Sequence, residues 1–241
     1  MNYQNYNLIV ACSKDFGIGI NGKLPWNIPN DLKKFAKLTK GKGNNAIIMG
    51  RKTWDSLPIQ PLPNRFNIVL TSNTELINKY QEYDNLIFLQ SYKDIDNFCL
   101  SKSFDNVWII GGASIYEYYL SCGFIKYIYL TYIDKLYDCD TFIKFIDNME
   151  YPYQIIQLKE EKYNNINLFY ITFIKLEKNK IVNFSYKSWK NKEFLGSGEI
   201  INWFPIGEKS NNYLIFIKNN KHQTPINDII TIPGNSITYI S

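Results

Sequence analysis

Short apolar or β-branched runs recur at Leu8 to Cys12, Ala46 to Met49, Asn67 to Leu70, Leu86 to Leu89, Val107 to Ile110 and Tyr127 to Tyr132. Continuous runs of this kind, without apolar-polar alternation, predict strands buried on both faces. Between them, Asp31 to Leu38 carries Leu32, Phe35 and Ala36 at helical spacing, and Ile115 to Leu120 reads as a second helix. This β, α, β alternation predicts an α/β fold: a mostly parallel central sheet flanked by helices. Gln154 to Lys159 and Leu168 to Leu176 flank the polar stretch Glu160 to Asn167, which predicts a β-hairpin. After about Lys178 the pattern changes. Gly196-Ser197-Gly198, Pro205-Ile206-Gly207 and Pro233-Gly234-Asn235 punctuate short apolar runs. We expect one domain over residues 1–178 and a small β-rich C-terminal extension over 179–241.

The chain has 241 residues, 45% of them hydrophobic, enough to bury a substantial core. Lys and Arg number 27 against 22 Asp and Glu, a surplus that suits small anionic ligands but falls short of a nucleic-acid footprint. Lys187 to Lys192, with Tyr186 and Trp189 interleaved, has a basic look. Residues 181–241 nevertheless hold only six lysines against four acids, so a solvated loop is expected rather than a nucleic-acid partner. The four cysteines, Cys12, Cys99, Cys122 and Cys139, are scattered, and His222 is the one histidine. That pattern argues against a metal site and for free thiols in a reducing, cytoplasmic setting. The run Leu8 to Cys12 is too short for a signal core, and no stretch is long enough to cross a bilayer, so no membrane association is expected.

Gly17-Ile18-Gly19-Ile20-Asn21-Gly22 matches G-x-G-x-x-G and follows the first strand. A dinucleotide fingerprint must open into a helix that holds the pyrophosphate, and here Pro25 and Pro29 interrupt. The glycines read instead as a mobile loop. That loop leads into Leu24-Pro25-Trp26 and then Pro29-Asn30-Asp31 at the start of an apolar helix. Alone, Asp31 reads as a first-turn acid complementing the helix dipole, and Trp26 as core.

Further motifs change that reading: Met49-Gly50-Arg51-Lys52-Thr53-Trp54-Asp55-Ser56-Leu57, Pro61-Leu62-Pro63-Asn64-Arg65, Ile109-Ile110-Gly111-Gly112-Ala113-Ser114-Ile115-Tyr116, and Leu130-Thr131-Tyr132-Ile133-Asp134 followed by Asp140-Thr141-Phe142. In this order and approximate spacing, the chain resembles the dihydrofolate reductase family over residues 6 to about 178.

The resemblance implies NADPH-dependent reduction of dihydrofolate to tetrahydrofolate, with a hydride to C6 and a proton to N5. It implies that Asp31 holds the pterin and favours N5 protonation through water that Trp26 orders, with the Thr131 hydroxyl fixing the carboxylate. A carboxyl in an apolar cleft should have raised proton affinity. Ile9, Val10, Leu24, Phe35, Leu57, Leu62 and Ile110 would line the substrate slot; without the resemblance all of these but Leu24 read as core. Arg65 would grip the substrate's glutamate carboxylate with its planar fork, although its plain reading is a solvated surface charge. For NADPH, the resemblance implies Ala11, Ile18 and Gly19, then Gly50, Arg51, Lys52 and Thr53 at a phosphate, Thr71 and Ser72 at the 2′-phosphate, and Gly111, Gly112, Ala113, Ser114, Ile115 and Tyr116 at the pyrophosphate and nicotinamide. The peptide joining the paired glycines is cis in the family.

Departures are modest: Leu24 stands where some members have Met, Asn64 at the usual Gly, and Lys52 at a common His. The extension has no counterpart in the single-domain form, and is expected to pack on the first domain or to mediate self-association through Leu214-Ile215-Phe216-Ile217 and Ile229-Ile230. Two rivals remain, a pyrimidine reductase of riboflavin synthesis and a catalytically silent ligand-binding protein on the same scaffold.

Overall fold

A computed structural model describes residues 6–80, 82–144 and 153–175, together with strands at 184–187, 193–194, 198–205, 212–219, 230–233 and 237–239. In chain order the elements are β1 (Tyr6–Cys12), β2 (Gly17–Gly19), α1 (Pro29–Lys40), β3 (Asn45–Gly50), α2 (Arg51–Ser56), β4 (Phe66–Leu70), α3 (Thr74–Lys79), β5 (Leu86–Leu89), α4 (Tyr92–Lys102), β6 (Asn106–Gly111), α5 (Ala113–Ser121), β7 (Ile125–Ile133), β8 (Thr141–Phe142), β9 (Tyr153–Tyr163) and β10 (Ile166–Lys175). Strands β11 (Phe184–Lys187), β12 (Glu193–Phe194), β13 (Gly198–Pro205), β14 (Asn212–Asn219), β15 (Ile230–Pro233) and β16 (Ile237–Tyr239) follow.

The main sheet has eight strands in the order β5-β4-β3-β6-β1-β7-β10-β9. From β5 to β7 every neighbouring pair is parallel, and β10 and β9 complete the sheet antiparallel. Each apolar run predicted as a strand is one. Their lack of alternation has a physical cause, because both faces are covered. Along β1, Leu8, Val10 and Cys12 enter one apolar cluster, whereas Ile9 enters another. The parallel arrangement also brings the carboxyl ends of β1, β3, β4 and β6 to one edge, where ligands bind in open α/β sheets.

Besides the short α2, helices α3 and α4 have no counterpart in the apolar periodicity. Of α4 only Ile95 and Cys99 are buried, so its stripe is thin. Both begin on side-chain caps: Asn73 accepts from the Glu75 N–H and Ser91 from the Asp94 N–H. The hairpin is longer than predicted. Asn164 and Asn165 take φ values of 47° and 62°, and these two residues reverse the chain, leaving Glu160 to Tyr163 inside β9. The glycine segment also differs from the expected loop, since β2 pairs antiparallel with β8.

Beyond the hairpin, β12-β11-β16 and β13-β14-β15 form two three-stranded sheets, and β13 runs beside β9. The hairpin's expected end at Leu176, the boundary at 178/179, the turn residues 196–197, 206–207 and 234–235, the run 188–192 and Ile229 fall outside the described residues.

Candidate active site

Helix α1 starts after Ile28 with Pro29 in its first turn, and the Asp31 N–H donates to the Ile28 carbonyl at 3.0 Å. Proline at this position has its ring angle already helical and withholds no needed donor. The start fixes Asp31 on the side of the helix facing the sheet. Burial pushes the Asp31 carboxyl above the usual carboxylate range, opposed by a hydrogen bond from the Thr131 hydroxyl and by the charge of Lys34. A solvated first-turn acid would not be shifted this way. Thr131 is itself buried, on β7.

Trp26 is buried, meets Tyr137 edge-on at 5.3 Å, and its indole N–H has no protein partner among the described residues. It clusters with Ile28, Ile133, Leu168 and Tyr170, with Ala11 at the margin. Tyr170 stands opposite Thr131 across the β7/β10 pair, and the Lys34 ammonium lies 4.0 Å from its ring centre. Asp31, Thr131, Tyr170 and Lys34 thus form one constellation.

Of the residues expected to line the substrate slot, Ile9 and Ile110 belong to a single apolar cluster against which Phe35, Leu57 and Leu62 pack. Val10 is not among them; it points to the other face of the sheet, beside Leu8 and Cys12. Leu24 is 51% exposed. Arg65 is only 6% exposed, and its burial lowers its proton affinity. Its Nε donates to the Pro63 carbonyl at 3.1 Å, another guanidinium nitrogen donates to the Thr39 hydroxyl, and the group lies 5.9 Å from the Phe35 ring centre. No carboxylate forms a salt bridge with it among the described residues.

At the carboxyl edge, the starts of α2 and α5 converge. A Cβ on Gly112 would stand 3.5 Å from the Thr53 hydroxyl, and one on Gly50 would stand 3.3 Å from the Ile115 side chain. Gly111 has φ 122°, a value that favours glycine, and the peptide joining it to Gly112 is cis. No side chain caps α5, so the N–H groups of Ala113 and Ser114 face outward from a nine-residue helix. Tyr116 is buried and donates to the Ile9 carbonyl at 2.9 Å, tying this helix to β1. Thr71 is buried at the end of β4, with its hydroxyl accepting from the Asn73 N–H at 3.1 Å, and Ser72 beside it is exposed. Arg51 and Lys52 are exposed, Arg51 bonding Asp55 at 2.6 Å. Gly19 is buried and Ile18 half-buried in β2. These groups suit a phosphate-bearing ligand: backbone donors, two cations, and glycines that leave the approach free of side chains.

The family model for dihydrofolate reductase matches residues 5–178. The chain belongs to the dihydrofolate reductase family. It is 36% identical over 157 residues to a dihydrofolate reductase of Heliothis virescens, covering 63% of this chain and 85% of the relative. It is 38% identical over 146 residues to one of Drosophila melanogaster, covering 57% and 78%. It is also 40% identical over 161 residues to bifunctional dihydrofolate reductase-thymidylate synthase 1 of Arabidopsis thaliana, covering 61% of this chain but only 30% of that relative. The chain therefore spans less than a third of that bifunctional relative.

Within the dihydrofolate reductase region, sequence reasoning passed over three groups. Asp140 accepts from the Asn21 N–H at 2.6 Å, and its own N–H donates to the Gly19 carbonyl at 3.0 Å, so it clasps the glycine segment. The motif Asp140-Thr141-Phe142 was visible, but the clasp was not. Lys34 and Tyr170 were also passed over. The i, i+3 spacing of Lys34 from Asp31 was the available signal.

Proposed function

We propose that the chain reduces dihydrofolate to tetrahydrofolate with NADPH, C6 of the pterin accepting a hydride and N5 a proton. NADPH, when bound, supplies the hydride. The observation that carries the reading is the half-buried Asp31, whose carboxyl is raised in proton affinity by desolvation and oriented by Thr131. Such a group accepts hydrogen bonds from the pterin's amino group and ring nitrogen, and its raised proton affinity favours protonation at N5. The unpartnered indole N–H of Trp26 supports a second polar contact in the same apolar corner. Arg65, a desolvated guanidinium with no carboxylate partner among the described residues, supports recognition of the substrate's glutamate tail. A pyrimidine reductase would not need that cation.

Gly111, Gly112 and the N–H groups opening α5 would hold the pyrophosphate; Arg51, Lys52, Thr71 and Ser72 would favour the extra phosphate of NADPH over NADH. Purified protein mixed with NADPH and dihydrofolate should show NADPH absorbance falling, and an antifolate should stop it. Binding of NADPH without turnover would instead support the silent scaffold. No helix among the described residues is long and apolar enough to cross a membrane; the scattered spacing of the four cysteines supports a reducing, cytoplasmic setting.

For residues 179–241 the proposal is a β module that packs on the reductase or mediates self-association. The run Leu214 to Ile217 on the central strand β14 motivates it, because apolar residues at successive strand positions need cover on both faces. Truncation after Lys178 should lower solubility or change oligomeric size in size-exclusion chromatography. Solubility, size and activity that all survive unchanged would defeat the idea.

A further inference from the structure

Lys34 lies one turn beyond Asp31 on α1, and residues at this spacing share a helix face. Its ammonium is seated on the face of the Tyr170 ring, 4.0 Å from the centre. Tyr170 in turn stands opposite Thr131, which bonds Asp31. Lys34, Tyr170 and Thr131 are therefore neighbours around the Asp31 carboxyl group. We propose that Lys34 is a positioning residue for the reduction: held on Tyr170, its ammonium governs the charge of Asp31 through space, without itself touching the pterin.

This proposal rests on the reductase reading and deepens it. Three influences act on Asp31, and they do not agree in sign. Burial raises its proton affinity, while Thr131 and Lys34 lower it. With Lys34 removed, burial is opposed by the hydroxyl alone, so the carboxyl should hold its proton to higher pH. The other charged groups facing Lys34 come from β9, where Glu161 and Lys159 pair at 2.5 Å; Glu161 favours the charged lysine and Lys159 opposes it more weakly. The aromatic seat adds a fixed quadrupole that prefers a cation. Lys34 is half-buried, and burial lowers its own proton affinity to about 8 against the pull of Asp31 and Glu161. Its charge therefore prevails at neutral pH and fades as the medium becomes alkaline.

The test is a pH profile of single-turnover hydride transfer by the full chain, with carbon NMR of labelled aspartate in the enzyme without cofactor. Lys34→Met and Lys34→Gln should each move the alkaline midpoint of the rate profile, and the Asp31 titration, upward by roughly half to one pH unit. Lys34→Arg should retain the wild-type midpoint, because charge and ring contact both persist. An unmoved midpoint in the neutral variants, or an arginine variant displaced as far as they are, would overturn the role of Lys34 even if rates fall. A wild-type chain that turns over no dihydrofolate at any pH overturns the reductase reading first, and the role of Lys34 with it.

Discussion

The charges on the two sides of the candidate site live in different media. On the substrate side, Asp31 and Arg65 are withdrawn from water, and neither forms a salt bridge among the described residues. On the cofactor and loop side, Arg51 is exposed and paired with Asp55, and Asp140 is exposed and held below the usual carboxylate range, chiefly by the Asn21 N–H. Desolvation makes a charge costly to the fold but strong toward a ligand, because little water screens it. Solvation makes a charge cheap and weak, suited to attracting phosphates and tying down a loop. The contrast predicts opposite mutational behaviour: loss of function with gain of stability on the first side, and small losses of both on the second.

Asp31→Asn should break the substrate side most severely. Turnover at neutral pH should fall by roughly 10²- to 10⁴-fold, the usual worth of a positioned acid, and partly recover in acid, where the substrate arrives already protonated. Stability should move the other way. Because the folded state raises the carboxyl's proton affinity, the native protein bears a cost whenever the group is ionised. The variant should therefore have a higher Tm than wild type at neutral pH. That gain should vanish as pH falls through the raised folded value toward that of the unfolded chain. Wild-type turnover in this variant removes Asp31 from the mechanism; a lower Tm at neutral pH removes the desolvation account.

Arg65→Met keeps the length and the apolar contact with Phe35 but deletes the fork. Charge-assisted hydrogen bonds are worth about 1.5–3 kcal/mol, so KM for dihydrofolate should rise by roughly ten- to a hundredfold with kcat little changed. A substrate analogue lacking the glutamate should bind wild type and variant alike. If the analogue also discriminates between them, Arg65 shapes the slot rather than gripping the tail.

These two residues also mark how far the sequence reaches. The interior strands were legible because parallel strands covered on both faces need continuous apolar runs, as Ala46 to Met49 shows. Helices α3 and α4 were not, because α3 is short, the buried stripe of α4 is thin, and only the caps at Asn73 and Ser91 announce them. Asp31 and Thr131 could be named from motifs, since resemblance carries residue identity. It does not carry environment: Arg65 reads as a solvated charge until the fold wraps Thr39, Pro63 and Phe35 around it. Lys34 was illegible for a related reason. Its seat, Tyr170, comes from a strand distant in the chain, and no local pattern joins the two.

The smallest effect is expected on the solvated side, at Asp140. Its carboxylate accepts from the Asn21 N–H and from the Thr141 hydroxyl, at 2.6 and 2.8 Å, and fastens β2 to β8 beside the cofactor edge. Asp140→Asn retains an acceptor but loses the charge, so the clasp should weaken rather than vanish, and turnover should drop only a few-fold through slower ordering of the glycine segment. Here the sign of the pH dependence reverses relative to Asp31. The folded state lowers the proton affinity of Asp140, so its contribution to stability is present at neutral pH and is lost as pH falls below the ordinary carboxylate range through the folded value. Wild type and variant should therefore differ slightly in Tm at pH 7 and converge in strong acid, whereas wild type and Asp31→Asn converge already at milder acidity. If Asp140→Asn were to raise Tm at pH 7, solvation would not be what separates the two sides of the site.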